Sequence, residues 1–198
     1  MRLPIPTYNA PVTLTFALAA FAVRLLDTLT GKAFTYAFFS LPPHFQWSDP
    51  WLYPRLLSYV IGHRDFTHLT SNFAIILLLG PILEEKYGSR RLLIMGLVTA
   101  LATGVLHALL FQSGMLGASG LVFMLIVLGS FANHKRGEIP LTFILILLLY
   151  LVREGIAMFQ HDDIAQGAHI LGGLLGGLFG YLGGLGQAHR VPNRNAKV

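Results

Sequence analysis

Gly117-Ala118-Ser119-Gly120, followed without a charge by Leu121–Phe131, places a serine at the head of a membrane-spanning stretch. Further along, Ala168-His169 precedes Gly172, Gly173, Gly176 and Gly177 in a second apolar run. A serine hydroxyl needs an adjacent base to act as a nucleophile at neutral pH. A serine and a histidine that each open an apolar helix therefore suggest nucleophile and base at membrane depth. Hydrolysis needs water, which the bilayer core lacks, so such a serine must lie in a recess open to solvent.

The composition excludes a water-soluble domain. Of 198 residues, 54% are hydrophobic and 12% charged, against about 25% charged in soluble domains. No cysteine is present, so disulfides and thiolate metal sites are ruled out. The net charge of +5 comes from cations scattered between apolar runs, which argues against a nucleic-acid partner. Six runs are long and apolar enough to be candidate spans: Val12–Thr30, Thr67–Leu83, Leu92–Phe111, Ala118–Ala132, Ile139–Phe159 and Ile164–Gln187. Most approach the ~20 residues needed to cross ~30 Å of hydrocarbon. The expected fold is an all-α, polytopic, six-helix membrane bundle over residues 1–187, with a basic tail at 188–198.

The first span carries Arg24 and Asp27, and Gly80-Pro81 is expected to kink the second or end it early. Arg2 and the run from Val12 to Ala22 also have features of a signal peptide. Without an obvious cleavage site, and with five further spans behind it, this segment is expected to remain as a helix. Six spans put both termini on one side. Arg2, Lys86, Arg90, Arg91, Lys135, Arg136, Arg190, Arg194 and Lys197 fall on that side, and Lys32, Arg55, Arg64 and Arg153 on the other. By the positive-inside tendency both termini are expected in the cytoplasm.

His68 and Asn72 are four apart at the start of the second span and share a helix face. Gly172, Gly176 and Gly180 follow His169 along nearly one line of the sixth. Such a stripe lets a neighbouring backbone approach closely. If that neighbour is the fourth span, Ser119 and His169 come within reach of each other. The fourth span covers only about 22 Å at 1.5 Å per residue, so its first turn is expected below the outer surface. Its free N–H groups and positive dipole end favour a developing oxyanion.

Each feature alone has a structural reading: a serine bonded to a backbone carbonyl, a glycine stripe for packing, His68 and Asn72 as helix caps. His107, in the third span, has no evident role. Together, His-x-x-x-Asn, Gly-Ala-Ser-Gly on a short helix and Ala-His-x-x-Gly, in that order, resemble the rhomboid family of intramembrane serine proteases over roughly Leu52–Leu185. The resemblance implies Ser119 as catalytic serine and His169 as its base, a dyad with no third acid. It implies His68, Asn72 and the Ser119 N–H as the oxyanion hole. Gly117 matches the glycine before the serine, Glu84 a structural carboxylate and Arg55 an arginine ahead of the second span, where Pro54 replaces the usual tryptophan. Phe123 stands where a tyrosine often stacks on the catalytic histidine, so stacking is retained and the phenol lost. The aromatic segment Phe34–Trp51 matches a loop that lies partly in the outer leaflet.

The family further implies transmembrane-protein substrates within the lipid bilayer, no metal or cofactor, and the plasma membrane of a bacterium. Metal-dependent proteolysis would want a His-Glu-x-x-His helix, which is absent. An aspartyl site needs carboxylates on two spans, and only Asp27 lies clearly within one. A small transporter would usually show internal repeats, and none is seen. A catalytically silent rhomboid-like protein that binds membrane clients is the remaining alternative, though inactive relatives should lack Ser119 or His169.

Overall fold

A computed structural model describes residues 7–31, 33–131, 140–142, 144–146, 148, 149, 152 and 166–187. Within them the chain forms helices α1 (Pro11–Leu29), α2 (Ala33–Phe38), α3 (Leu52–Ser58), α4 (Phe66–Tyr87), α5 (Ser89–Leu110), α6 (Ser119–Ser130) and α7 (Gln166–Gln187). The fold is an all-helical membrane bundle. Helices α1, α4 and α5 are long and apolar enough to cross a bilayer, while α6 and the apolar part of α7 are shorter. The fifth expected span lies largely outside the described residues; those described between 141 and 152 are helical. The basic tail 188–198 and the cations at positions 2, 32, 135, 136, 153, 190, 194 and 197 also lie outside them.

Helix α6 is the centre of the bundle. It is apolar all round, and such a helix needs cover on every side. Val122, Phe123, Met124, Leu125, Val127 and Leu128 are all buried. Leu69, Phe73, Ile76 and Leu83 of α4 pack into the same core. The outer helices instead expose large apolar side chains, such as Leu18 and Phe21 of α1, Leu78 of α4, Leu97 of α5 and Leu174 of α7. That surface suits lipid rather than water.

Polar ties hold the outer helices in place. Helix α1 has no side-chain cap of its own, and its first N–H groups need acceptors. The Glu84 carboxylate supplies them, accepting from the Val12 amide at 2.9 Å, the Thr13 amide at 2.9 Å and the Thr13 hydroxyl at 2.8 Å. A Cβ on Gly80 would lie 2.5 Å from Thr13 Cγ2, so only glycine lets α1 close on α4 here. Gly80-Pro81 therefore does not end α4, which runs on past Leu83 to Tyr87. Pro81 removes one helical N–H, but the buried Leu83, Glu84 and Tyr87 hold the turns beyond it.

At the other end of α1, Arg24 and Asp27 form a buried ion pair one turn apart. The Thr35 amide donates to Asp27 at 2.8 Å, fastening α2 to α1, and the Arg24 guanidinium lies 5.2 Å from the Phe66 ring centroid. The charges that blemish the first span are thus paired inside the protein. Helices α2 and α3 fold within the segment between α1 and α4, leaving Tyr36, Phe38, Trp47, Trp51 and Tyr53 exposed. Such rings suit the membrane interface.

Replacing Glu84 by alanine removes the acceptor for the Val12 amide and for the Thr13 amide and hydroxyl, among others. Hydrogen bonds to a charged group are worth about 1.5–3 kcal/mol each. Glu84→Ala should therefore lose at least about 2 kcal/mol, seen as a lower unfolding temperature in detergent. Glu85→Ala, at an exposed neighbour, should leave the transition unchanged.

Candidate active site

The head of α6 is presented by a loop that is fixed at several points. Leu41 and Met115 exchange backbone hydrogen bonds of 2.8 and 3.1 Å, and the Gly117 amide donates to the Tyr59 carbonyl at 3.0 Å. His107 Nε2 donates to the Ser113 carbonyl at 2.7 Å, and its ring stacks on Phe111. This gives His107 a structural role. Gly117 takes φ +116°, a conformation that L side chains rarely adopt. The chain can then turn sharply and begin α6 at Ser119, which is half-buried.

Helix α7 lies against α6 along the glycine stripe. A Cβ on Gly172 would sit 2.2 Å from the Gly120 carbonyl oxygen, and one on Gly176 would sit 2.4 Å from that of Met124. A Cβ on Gly180 would meet the Phe131 ring at 2.7 Å. The two helices run parallel, backbone against backbone. The Ala168 carbonyl lies 3.3 Å from where a Gly120 Cβ would be, so His169 enters beside the first turn of α6. Its imidazole stacks on Phe123, with centroids 4.3 Å apart and planes inclined by 6°. Phe123 is one turn beyond Ser119 on the same face. Ser119 and His169 are thus brought to the same side of the α6–α7 contact.

His68 and Asn72 approach from α4. Asp65 caps this helix, its Oδ1 accepting from the His68 amide at 2.7 Å. That bond holds the Asp65 carboxyl below the usual carboxylate range. The side chains of His68 and Asn72 are therefore not needed as caps. A Cβ on Gly117 would come within 2.7 Å of His68 Nε2 and 3.8 Å of Asn72 Nδ2. Two side-chain nitrogens thus converge on one small space, two residues before Ser119. Only a glycine leaves it open.

All eight candidate positions, Gly117, Ser119, Phe123, His68, Asn72, His169, Gly172 and Gly176, lie on α4, α6, α7 or the turn into α6. Gly176 sits one turn deeper and serves the helix contact rather than the head of α6. Among the described residues, no group of three His, Cys, Asp or Glu side chains is gathered to hold a metal. Sequence reasoning missed His63, which is buried between His68 and Phe73 and bonded to Asn72. The available signal was a histidine five residues ahead of His68 and directly after a glycine. Tyr59 was missed too: its carbonyl holds Gly117, while its hydroxyl bonds Thr103 beneath Gly120.

A family model described as Rhomboid domain matches residues 50–185. The chain is 24% identical over 138 residues to Rhomboid protease GlpG of Haemophilus influenzae, covering 68% of this chain and 70% of that protein. It is 30% identical over 181 residues to the Putative rhomboid protease YdcA of Bacillus subtilis, covering 78% and 87% respectively. Rhomboid protease GlpG of Yersinia pestis is 24% identical over 176 residues; the match spans 86% of this chain and 62% of that protein.

The helix contact can be tested by paired substitutions. Gly172→Ala puts a methyl group into the Gly120 backbone, and overpacking of this kind costs about 1–3 kcal/mol. Gly173→Ala would meet only Val127 Cγ2, at an ordinary 3.6 Å. Thermal unfolding in detergent should show a clear loss for Gly172→Ala and none for Gly173→Ala.

Proposed function

The chain belongs to the rhomboid family, and from that premise we propose that it is an intramembrane serine endopeptidase that cuts the transmembrane segments of other membrane proteins. One observation carries this reading. The head of α6 has His68 and Asn72 converging on Gly117 to one side, and His169 stacked on Phe123 to the other.

Ser119 attacks the peptide carbonyl, and His169 takes the hydroxyl proton. The tetrahedral oxyanion is held by His68, Asn72 and the Ser119 N–H, where aimed donors act on charge as it develops. His169 then gives its proton to the leaving amine. Water, activated by the same imidazole, hydrolyses the acyl-enzyme. Phe123 stacks on the imidazole and helps to hold its plane, but offers no hydroxyl.

The twelve residues of α6 rise about 18 Å, well short of ~30 Å of hydrocarbon. With both termini in the cytoplasm of a bacterial cell, and residues 1–187 as a single domain ahead of a basic tail, Ser119 opens toward the outer face. A substrate helix must unwind locally to reach it, so small or helix-breaking residues are expected near the cut. The reaction uses side chains and backbone only.

Cleavage of a transmembrane reporter by the purified protein tests the reading. Ser119→Ala and His169→Ala should each abolish cleavage, and the double variant should be no worse than either, because the two act as a unit. Cleavage near the wild-type rate in Ser119→Ala would overturn the proposal. Asn72→Ala should slow turnover by about 10²–10³-fold while the protein still unfolds cooperatively. A lower unfolding temperature with unchanged turnover would instead mark Asn72 as structural.

A further inference from the structure

His63 lies in the segment between α3 and α4, 1% exposed, and the proposed reaction does not use it. Its Nδ1 is 3.0 Å from the Ile61 carbonyl oxygen. A carbonyl only accepts, so Nδ1 carries the proton and Nε2 presents a lone pair. That lone pair faces Asn72 Nδ2 at 3.1 Å, inside the protein. The orientation of the Asn72 amide follows: its NH₂, not its oxygen, must point at His63. One of the two amide hydrogens is then occupied, and the same nitrogen borders the space over Gly117. His63 also touches the second donor, its ring edge-on to His68 with centroids 5.0 Å apart.

We propose that His63 is the positioning residue of the oxyanion site: its Nε2 holds one Asn72 hydrogen so that the other is aimed at the space over Gly117. The proposal rests on the protease reading. It also explains how an amide able to rotate by half a turn presents a donor to an anion rather than its own oxygen. Burial supports it by pushing the His63 imidazole down to about 4, so the ring is neutral and the lone pair is available at neutral pH. The charged or titratable neighbours around it are His68, Arg24 and Asp65. Arg24 and His68 act with burial to keep the ring neutral, against Asp65.

Two isosteres separate the two bonds that His63 makes. In His63→Gln, the side-chain oxygen reaches the place of Nε2 and accepts from Asn72. In His63→Asn, the amide reaches only the place of Nδ1 and keeps the bond to Ile61. With the transmembrane reporter, His63→Asn should lower kcat at least about tenfold with KM little changed, a fraction of the cost of removing a donor outright. His63→Gln should recover most of that loss. In an Asn72→Ala background, His63→Asn should cost nothing further.

A merely structural His63 predicts the reverse: rescue by Asn rather than Gln, or the same loss with and without Asn72. Either result overturns the proposal while leaving the protease reading intact. That reading falls separately if the wild-type protein fails to cut or if cutting survives Ser119→Ala. Nitrogen NMR of the wild-type protein in micelles gives a readout that needs no variant to fold. The proposal requires His63 protonated at Nδ1 and bare at Nε2, and a proton at Nε2 would overturn it.

Discussion

The contact on which the rest of the structure depends is that between Gly172 and the Gly120 carbonyl. Lipid tails are as apolar as leucine, so helices in a bilayer gain little from hiding apolar surface against each other. They gain by close packing, and small residues make that closest. Here the approach is so tight that a single methyl at Gly172 would fall 2.2 Å from a carbonyl oxygen. The same parallel contact continues through Gly176 against Met124 and Gly180 against Phe131. It fixes the depth of α7 relative to α6, and with it the level at which His169 meets Phe123. The head of α6 inherits its geometry from a contact that begins there and runs to the other end of the helix.

A second constraint comes from the polar groups that such a bundle must bury. Backbone and side-chain donors in hydrocarbon need partners within the protein. Some of them join segments far apart in the chain and others tie a helix to the segment beside it. Glu84 receives the first amides of α1, Asp27 receives the Thr35 amide, Tyr59 bonds Thr103, and His107 bonds the Ser113 carbonyl. Tyr59 and His107, with the Leu41–Met115 pair, hold the loop that enters α6. Polar atoms that look like defects in apolar spans fasten α1 and α2 through Glu84 and Asp27, and the site loop through His107.

The composition and six apolar runs made the class of fold legible, since nothing but lipid suits that density of apolar side chains. The stripe Gly172, Gly176, Gly180 was legible as a packing surface because helical periodicity puts those residues on one line. Its partner was expected to be the fourth span only because His169 must reach Ser119, and the glycines do lie against α6. Of the two outcomes expected at Gly80-Pro81, a kink or an early end, the early end does not occur, since α4 runs on to Tyr87. Local propensity says that a proline ends a helix, but the capping of α1 by Glu84 is a tertiary interaction that no local window contains. His63 escaped notice for a similar reason. Its importance lies in which atom faces Asn72, and spacing along a chain carries no information about a ring nitrogen. Arg24 and Asp27 looked like an obstacle to the first span, although their separation by three residues already allowed a pair on one helix face.

For the proposed reaction, the short α6 bears on the conflict between hydrolysis and the bilayer through one further constraint. Its first N–H groups have no side-chain cap; Ala118 occupies the N-cap position and offers no acceptor. In hydrocarbon, each unsatisfied donor would cost several kcal/mol. A helix beginning in this way at depth needs acceptors from elsewhere in the protein, as α1 takes them from Glu84, or a head open to water or to an anion. Those same N–H groups, with the positive end of the helix dipole, are what a developing oxyanion requires. In the proposed reaction, an opening that admits water to Ser119 would also solvate the start of α6, so one recess serves both needs. A longer α6 would carry those donors toward the interface, where water would satisfy them without any recess. A capped α6 would occupy them. The brevity of the helix and the absence of a capping side chain before Ser119 both favour chemistry at its head.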